Sequence, residues 1–408
     1  MDAARSDLFA FTPDERDYLR AGQRQREALL SPYAARDEEA VYERPVRSDA
    51  DDALVRTAFR RDVDRVLNNA FYNRCMDKTQ VFPFYKNDDL TRRSYHLQLV
   101  SSISRKLAQA LRLNTALTEA IALSHDMGHT PFGHGGERFL SDIYHAHTGR
   151  YFNHNVHGAR LLRKVATCNL SLQAYNGILC HCGEKAFERY EPAPCNSFAQ
   201  LDEMMERCYT TPGASSSLRP STLEGCAVRI CDILAYLGKD RQDALKLHVL
   251  DADSYETRNE VAGSTNAQII ARVTANIIKN SIDKPYLAMD SEVFESLMRI
   301  KEDNSQRIYH SPQAHERLDE IVQPMMERLY DRFREDVISG NEDSFIWRHH
   351  IHSWVMQFNE GYVDDNAPDD IVVDYLASMT DEYFIDLFNF LYPEEAVADK
   401  DLYHPYFH

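Results

Sequence analysis

The stretch AIALSHDMGHTPFGHGGE, residues 120–137, constrains the fold of this chain more than any other feature. Its first half is apolar and helix-prone, and its second half delivers the adjacent pair His125 and Asp126 into a loop that holds four glycines. A neutral imidazole beside a carboxylate suits a first-row divalent metal. Because successive side chains on a helix point about 100° apart, this pair cannot surround a cation alone. The pair therefore predicts further ligands on other helices and a fold that brings them together.

Apolar residues elsewhere in the chain recur mainly at intervals of three and four, the spacing of one face of a helix. The sequence contains no set of strands with alternating polarity and no repeated βαβ pattern. It also contains no P-loop and no GxSxG motif. The sequence therefore predicts an all-α fold, a helical bundle with additional C-terminal helices. The helices predicted beyond residue 250 are 267–278, 293–300, 318–337, 347–358 and 371–391.

Composition along the chain predicts three regions. Residues 1–44 are polar and charged, with one short predicted helix, and are interpreted as an N-terminal arm. Residues 45–250 contain the His-Asp pair and are interpreted as the core, and residues 251–408 as a helical region packed on that core. Within the core, residues 183–221 are rich in Pro, Ser and Gly, which predicts a long loop or insertion.

The chain of 408 residues carries 64 acidic and 46 basic side chains, a net charge of −18. A negative field of that size disfavours nonspecific binding to nucleic acid. The chain has no run of about eighteen apolar residues and no signal-peptide core, so we expect a cytoplasmic protein without a membrane span. The eight cysteines include no CxxC pair and are interpreted as reduced structural residues.

His96 is the first candidate for a further ligand. It lies three, four and seven residues before Leu99, Val100 and Ile103, and so belongs to the buried stripe of a helix predicted to begin near Thr91. A histidine on such a stripe is usually a satisfied core residue. The His-Asp pair about thirty residues further on favours a ligand instead.

Asp232 is the second candidate. The sequence STLE at 221–224 predicts a capping box, with the serine as N-cap of the helix that carries Asp232. An aspartate with apolar flanks is costly to bury unless it is paired or binds a metal. Tyr236 and Asp240 follow at steps of four, so the three side chains stack on one helix face. An exposed acidic stripe is the alternative interpretation.

The candidate ligands come from three predicted helices and are His96, His125, Asp126 and Asp232. Two imidazoles and two carboxylates suit a divalent metal and leave positions open on an octahedral ion. Open positions are typical of a catalytic site, in which they hold a water and a substrate oxygen. We expect manganese or magnesium first, with iron, cobalt, nickel or zinc as alternatives.

This arrangement resembles the H…HD…D signature of the HD-domain phosphohydrolase superfamily. Further segments narrow the resemblance to the deoxynucleoside triphosphate triphosphohydrolase (dGTPase-like) family, and together they are far more specific than the bare signature. They are RTAFRRDVDRV with KTQVF (56–66 and 78–82), HDMGHTPFGHGGE (125–137), ICDILAYLGKD (230–240) and DYLASMTDEY (374–383). Tyr95 and Ser378 depart from the family, which more often has Thr and Gly there.

The resemblance implies an HD-domain helical bundle at 45–250 and hydrolysis of deoxynucleoside triphosphates, dGTP or several dNTPs, to deoxynucleoside and inorganic triphosphate. It also implies a homo-oligomer and, as in some relatives, activation by a dNTP effector. Residues 1–44 and 183–221 are candidate places for these contacts. Neither nucleic acid nor a membrane is an expected partner.

Catalytic roles also follow from the resemblance. His134, oriented by Glu137, is expected to act as acid or base. His129 and His154 are expected to complete the catalytic group by contacting the phosphates. His181 could add a ligand, although a polar loop contact is favoured.

Substrate-binding roles are carried over in the same way. Arg93 is expected to bind phosphate in a bidentate fork. Gln80 matches a position near the sugar and base. Tyr236 is expected to pack against the sugar, and Asp240 is expected to accept a hydrogen bond from the 3′ hydroxyl. His157 is interpreted as a surface residue or one behind the site.

Two alternative functions remain open. The first is another HD-domain phosphohydrolase, acting on cyclic nucleotides, nucleoside monophosphates or alarmones, and the segments 78–82 and 374–383 argue against it. The second is a dNTP-sensing regulator with little turnover. The intact ligands together with His134 and Glu137 argue against a sensor, which needs no acid or base.

Overall fold

Helices make up nearly all the regular structure in the computed structural model, which describes residues 10–46, 50–182, 186–251, 261–315, 317–353 and 355–404. The first nine helices are α1 (Pro13–Ala28), α2 (Ala50–Val55), α3 (Ala58–Leu67), α4 (Ala70–Arg74), α5 (Arg93–Ala110), α6 (Thr115–Ser124), α7 (Gly133–Thr148), α8 (His154–Arg160) and α9 (Leu172–Leu179). They are followed by α10 (Phe198–Thr210), α11 (Leu223–Lys246), α12 (Asn266–Ser281), α13 (Ser291–Asn304), α14 (Pro312–His315), α15 (Gln323–Ile338), α16 (Pro368–Ser378), α17 (Asp381–Leu391) and α18 (Asp399–Leu402).

Within the described residues the strands are limited to β1 (Arg189–Tyr190) and β2 (Leu287–Ala288), which pair antiparallel. The predicted all-α fold is therefore confirmed. Part of the predicted arm, residues 1–9, lies outside the described residues, and the division into three regions stays a prediction. Among the helices of the described ranges, none combines the length and the apolar character that a membrane crossing needs.

The centre of the molecule is formed by α5, α6 and α11, which pack on one another, with α3 packed on α6. Leu97, Val100 and Leu107 of α5 are fully buried in this core, and His96 lies on the same face and is 2% exposed. Leu99, predicted for the stripe, is only half-buried. The helical period thus places His96 inside the bundle, as predicted.

The loop after α6 is held against α8 by a close backbone approach. A Cβ atom at Gly128 would lie 2.1 Å from the backbone oxygen of His154, so only glycine fits there. Phe132 has φ 62°, an uncommon left-handed conformation for a bulky residue, and α7 begins immediately after it. This turn places His134 beside the amino end of α8.

The interpretation of residues 183–221 as a long loop is wrong in its middle, where α10 is thirteen residues long. Ser197 caps α10 by accepting from the backbone N–H of Gln200. Leu201, Met205 and Cys208 form its buried face at a helical spacing. The Pro, Ser and Gly residues on both sides obscured that period.

The predicted capping box is also wrong. Thr222, not the serine before it, caps α11 through the backbone N–H of Gly225. Glu224 is fully buried, and its Oε1 accepts from the backbone N–H groups of Ala35 and Asn114. This glutamate therefore joins the segment after α1 to the start of α6.

Two predicted C-terminal helices differ from the structure. The one at 371–391 is divided into α16 and α17, because Thr380 caps a new helix by accepting from the backbone N–H of Tyr383. The one at 347–358 consists of two short helical turns, Trp347–Ile351 and Val355–Gln357. Helices α15 and α16 pack on each other and on α7, which carries His134.

Candidate metal and catalytic site

The four predicted metal ligands lie together although they come from distant parts of the chain: His96 from α5, His125 and Asp126 from the turn after α6, and Asp232 from α11. His96 Nε2 lies 3.0 Å from Asp232 Oδ1 and 3.8 Å from Asp126 Oδ2. His125 Nε2 lies 3.5 Å from Asp126 Oδ1 and 3.8 Å from Asp232 Oδ1. Nitrogen and oxygen ligands of a first-row metal lie about 2.1 Å from the ion. Two sets of three side chains have ligand atoms close enough to share one cation: His96, His125 and Asp232, and His125, Asp126 and His181.

His125 gives the direct test of whether these residues fit a cation. Its ring is fully buried, its Nδ1 donates to the backbone oxygen of Ala122 at 2.8 Å, and its Nε2 has no hydrogen-bond partner among the described residues. Burial lowers the pKa of His125 to about 4, so the imidazole is neutral at physiological pH. A buried lone pair directed at two carboxylates is the form in which histidine binds a metal.

Asp126 is one of two carboxylates in the cluster whose pKa lies below the ordinary value, the other being Asp232. Burial alone would raise its pKa, but His125, His129 and the Arg93 guanidinium outweigh burial and hold the pKa well below its usual range. Arg93 is itself buried, and it donates to Asp126 Oδ2 at 2.5 Å and to the backbone oxygen of Thr79 at 3.2 Å. The guanidinium thus contacts a predicted metal ligand, and its phosphate fork stays a prediction.

His181 belongs to the same cluster. Its Nε2 lies 3.4 Å from Asp126 Oδ1 and 3.3 Å from His154 Nε2, while its Nδ1 donates to the backbone oxygen of Ile178 at 2.6 Å. The structure therefore places His181 beside the predicted ligand Asp126, in a group of side chains that could hold a metal ion. Its hydrogen bond to Ile178 agrees with the favoured interpretation as a polar loop contact, and a role as an added ligand stays a prediction. The apolar run before His181 was the sequence signal that it is buried.

Glu137 joins the predicted catalytic histidines. Its Oε2 accepts from His134 Nδ1 at 3.1 Å and from His154 Nδ1 at 2.9 Å, and its Oε1 accepts from the backbone N–H of His154 at 2.7 Å. Burial would raise the pKa of Glu137, but the neighbouring histidines hold it well below its usual range. His129 stacks on His154 with 3.9 Å between ring centroids. His134 is 70% exposed, and its Nε2 is the ring nitrogen not bound to Glu137.

One cavity of about 780 Å³, a volume typical of small-molecule sites, is lined both by predicted metal ligands and by the predicted catalytic histidines. The ligands that line it are His96, Asp126 and Asp232. Gln80, Tyr236 and Asp240 line the same cavity. The buried Oε1 of Gln80 has no hydrogen-bond partner among the described residues, so the cavity wall offers an unused acceptor. The structure thus brings the predicted substrate residues to the predicted metal ligands.

Asp240 is buried and hydrogen-bonded to a residue that the sequence analysis did not predict. Tyr309 donates its hydroxyl hydrogen to Asp240 Oδ2 at 2.8 Å, and its ring makes an edge contact with Tyr236, with 6.3 Å between centroids. Burial raises the pKa of Asp240 to about 7. The carboxyl therefore changes its charge in the physiological range.

This raised pKa predicts a pH-dependent effect on stability. The folded protein binds the Asp240 proton more tightly than the unfolded chain, so the contribution to stability is complete below pH 3.8 and is lost as the pH rises through about 7. Asp240→Asn keeps an acceptor for Tyr309, and is expected to raise the free energy of unfolding at pH 8 by up to about 4 kcal/mol and to change it little at pH 4. Thermal denaturation at both pH values checks this, and an equal gain at both would contradict it.

One wall of the cavity, formed by residues between 301 and 318 at and after the end of α13, was not predicted from the sequence. These residues share no spacing with the metal ligands and come from a distant part of the chain, so no local pattern indicated them. They are Lys301, Ser305, Tyr309, His310, Ala314, His315 and Leu318.

His157 is not a surface residue. It is 2% exposed, and its Nδ1 lies 3.6 Å from Asp374 Oδ1. Arg160 forms a two-bond ion pair with the same aspartate at 2.8 Å. The surface interpretation of His157 is therefore wrong, and α8 is joined to α16 by buried charged groups.

Comparison with known proteins identifies the family of the chain. The HD domain family matches residues 93–237. A deoxyguanosinetriphosphate triphosphohydrolase-like protein of Caldanaerobacter subterraneus subsp. tengcongensis is 30% identical over 360 residues, 87% of this chain and 90% of that protein. One from Desulfatibacillum aliphaticivorans is 30% identical over 69% of this chain and 75% of its own length. One from Rickettsia bellii is 25% identical over 82% of this chain and 91% of its own.

The helical fold, the match over residues 93–237 and the buried cluster that can hold a divalent metal define an HD-domain hydrolase. The 30% identity to a curated relative over most of the chain identifies one family within this class of hydrolase. The protein belongs to the deoxyguanosinetriphosphate triphosphohydrolase-like family. The family predicted from the sequence segments is therefore confirmed.

Proposed function

We propose that this protein hydrolyses deoxynucleoside triphosphates, dGTP or several dNTPs, to deoxynucleoside and inorganic triphosphate in a metal-dependent reaction. One observation carries the proposal. A single cavity is lined by three of the four predicted metal ligands, by the pair His134 and Glu137, and by Gln80 and Asp240, whose side-chain oxygens are proposed to accept hydrogen bonds from the base and sugar. The relatives' name supports the same substrate class.

The four residues that would hold the metal are His96, His125, Asp126 and Asp232. When bound, a divalent cation there supplies positive charge that stabilises the negative charge developing on the α-phosphate. Manganese or magnesium is our first choice, with iron, cobalt, nickel or zinc as alternatives.

His134 is proposed as the acid that protonates the leaving oxygen. In this reaction the oxygen of water bonds to the α-phosphorus and gives up a proton to solvent. The bond from that phosphorus to the 5′ oxygen breaks, the 5′ oxygen leaves with a proton from the acid, and solvent restores that proton. His134 donates the proton from Nε2 while Glu137, 3.1 Å from Nδ1, holds the ring in place. His129 and His154, stacked beside this pair, are proposed to contact the phosphates.

The sugar is proposed to lie between Tyr236 and Asp240. The carboxylate of Asp240 would accept a hydrogen bond from the 3′ hydroxyl, and Tyr309 fixes that carboxylate through its own hydroxyl. The Tyr236 ring would occupy the space that a 2′ hydroxyl needs. A site that hydrogen-bonds or sterically excludes one hydroxyl group can change the ratio of kcat/KM between two substrates that differ in that hydroxyl by roughly two orders of magnitude or more.

A product assay tests the reaction. Purified protein incubated with manganese or magnesium and each dNTP is expected to release inorganic triphosphate and deoxynucleoside in equal amounts, and to release little from the corresponding ribonucleotides. Chromatography of the products checks this. Pyrophosphate or a nucleoside monophosphate would exclude the proposed bond cleavage and favour another HD-domain reaction, and tight dNTP binding without product would favour a sensor.

A dNTP effector and a homo-oligomer are also proposed, along with a cytoplasmic location. The effector has a candidate place in a second pocket of about 620 Å³ between α1 and the core. A cationic lining in a chain of net charge −18 favours a phosphate-bearing ligand. Its basic lining residues are Arg20, Arg24, Arg26, Arg56 and Arg61, and its acidic ones are Glu27, Asp37 and Glu38.

A further inference from the structure

The 374–383 segment, DYLASMTDEY, does not line the cavity, yet it contacts two segments that do. It comprises the end of α16, the break after it and the start of α17. The two cavity segments are 78–82, which carries Gln80, and 129–134, which carries His134. Through these contacts the 374–383 segment can fix the position of cavity residues although it does not line the cavity itself.

Asp381 makes the central contact. Its carboxylate is 6% exposed, its Oδ2 accepts from the backbone N–H of Thr79 at 3.0 Å, and its Oδ1 accepts from the backbone N–H of Phe132 at 3.0 Å. Thr79 precedes Gln80, and Phe132 lies two residues before His134. One buried carboxylate therefore joins the backbone of both segments.

Lys78 reinforces the same junction. Its side chain is 1% exposed, and its Nζ donates to the backbone oxygen of Ala377 at 2.7 Å and to the backbone oxygen of His129. Ala377 belongs to the 374–383 segment, and His129 to the catalytic loop. A buried amine thus connects these three parts of the chain.

The junction also reaches the metal ligands. Thr79, held by Asp381 through its N–H, accepts through its backbone oxygen from Arg93 at 3.2 Å. Arg93 donates in turn to Asp126 at 2.5 Å. Asp381 is therefore separated from Asp126 by two residues that are hydrogen-bonded in series.

We propose that Asp381 is a positioning residue for the reaction, which holds Gln80 and His134 in a fixed relation to each other and to Asp126. The proposal rests on the proposed function only for its effect on turnover. Phe132 supports it independently, because its left-handed backbone is costly and its N–H is satisfied by Asp381. A displacement of about 1 Å at a reacting group can cost roughly 100-fold in rate.

Asp381→Asn tests the proposal, since its amide group retains one acceptor and replaces the other by a donor. We expect amide hydrogen exchange at Thr79 or Phe132 to become at least about tenfold faster. We also expect kcat to fall about 10- to 100-fold per folded, metal-loaded protein, with a changed pH profile, because His134 moves relative to the substrate. Asp381→Glu keeps the charge, and is expected to show a smaller loss of kcat.

Asp369→Asn is the matched control. Asp369 is similarly buried at 8% exposed, and it accepts from Tyr330 and Arg334 but contacts neither cavity segment. It is expected to lower Tm while leaving kcat, the pH profile and exchange at Thr79 unchanged.

Two results would overturn the proposal. One is unchanged exchange at both Thr79 and Phe132 in folded Asp381→Asn and Asp381→Glu. The other is a lower Tm with kcat and pH profile equal to those of Asp369→Asn. If the wild-type protein releases no triphosphate, the proposed function fails, whereas the exchange measurement still decides whether Asp381 fixes the two segments.

Discussion

Replacing Asp126 by alanine is expected to abolish metal binding and turnover together. Asp126 offers one oxygen toward His96 and the other toward His125, so its loss removes a carboxylate that faces both imidazoles. A cation that stabilises charge in the transition state contributes several kcal/mol, so we expect turnover to fall about 1,000-fold or more. Metal content of the purified protein and titration with manganese measure the first effect, and triphosphate release measures the second.

The loss of Asp126 also lowers stability, and control variants must separate this effect from the loss of metal. Arg93 is 1% exposed and pairs with Asp126, so the alanine variant leaves a buried charge without that partner and costs roughly 3–5 kcal/mol of stability. Asp232→Asn removes a ligand that Arg93 does not contact, and is expected to lose metal with a smaller loss of Tm. Asp142→Asn, an exposed acid on the same cavity, is expected to keep both metal and activity. Full turnover in a folded Asp232→Asn protein without metal would contradict the proposed mechanism.

His134→Ala is expected to lower kcat about 100- to 10,000-fold while metal content stays unchanged. His134 is not one of the four proposed ligands, but its Nε2 is the ring nitrogen left to donate a proton, because Glu137 occupies Nδ1. A variant with a neutral side chain at position 137 separates the role of His134 as the acid from the role of Glu137 as its carboxylate partner. Glu137→Gln keeps the side chain's length and is expected to lower kcat less than His134→Ala, since the acid remains but loses its carboxylate partner.

Steady-state kinetics with dGTP over a range of pH measure this effect. The limb of the profile that reports the acid is expected to disappear in His134→Ala. His145→Ala is the matched control, because His145 is an exposed histidine on the same helix that stacks on Tyr151 instead of meeting Glu137. A wild-type pH profile in His134→Ala would show that another group donates the proton.

Local patterns predicted the fold class and much of the cluster, because they depend on contacts within one or two helical turns. His96 lies on the buried stripe of α5, and Asp232 shares a helix with Tyr236 and Asp240, as a period of 3.6 residues requires. Helix boundaries were less predictable. Thr380 starts a new helix through one side-chain hydrogen bond, which the apolar period on both sides does not reveal.

The amino-acid sequence by itself determined the chemical types of the ligands, the helices that carry them and the family to which the chain belongs. Only the tertiary structure decided that His181 lies beside Asp126, that Tyr309 holds Asp240, and that Asp381 joins the segments of Gln80 and His134. The physical reason is distance along the chain. A helical period relates residues three or four positions apart, whereas these contacts join residues between 55 and 302 positions apart and exist only when the whole bundle is packed.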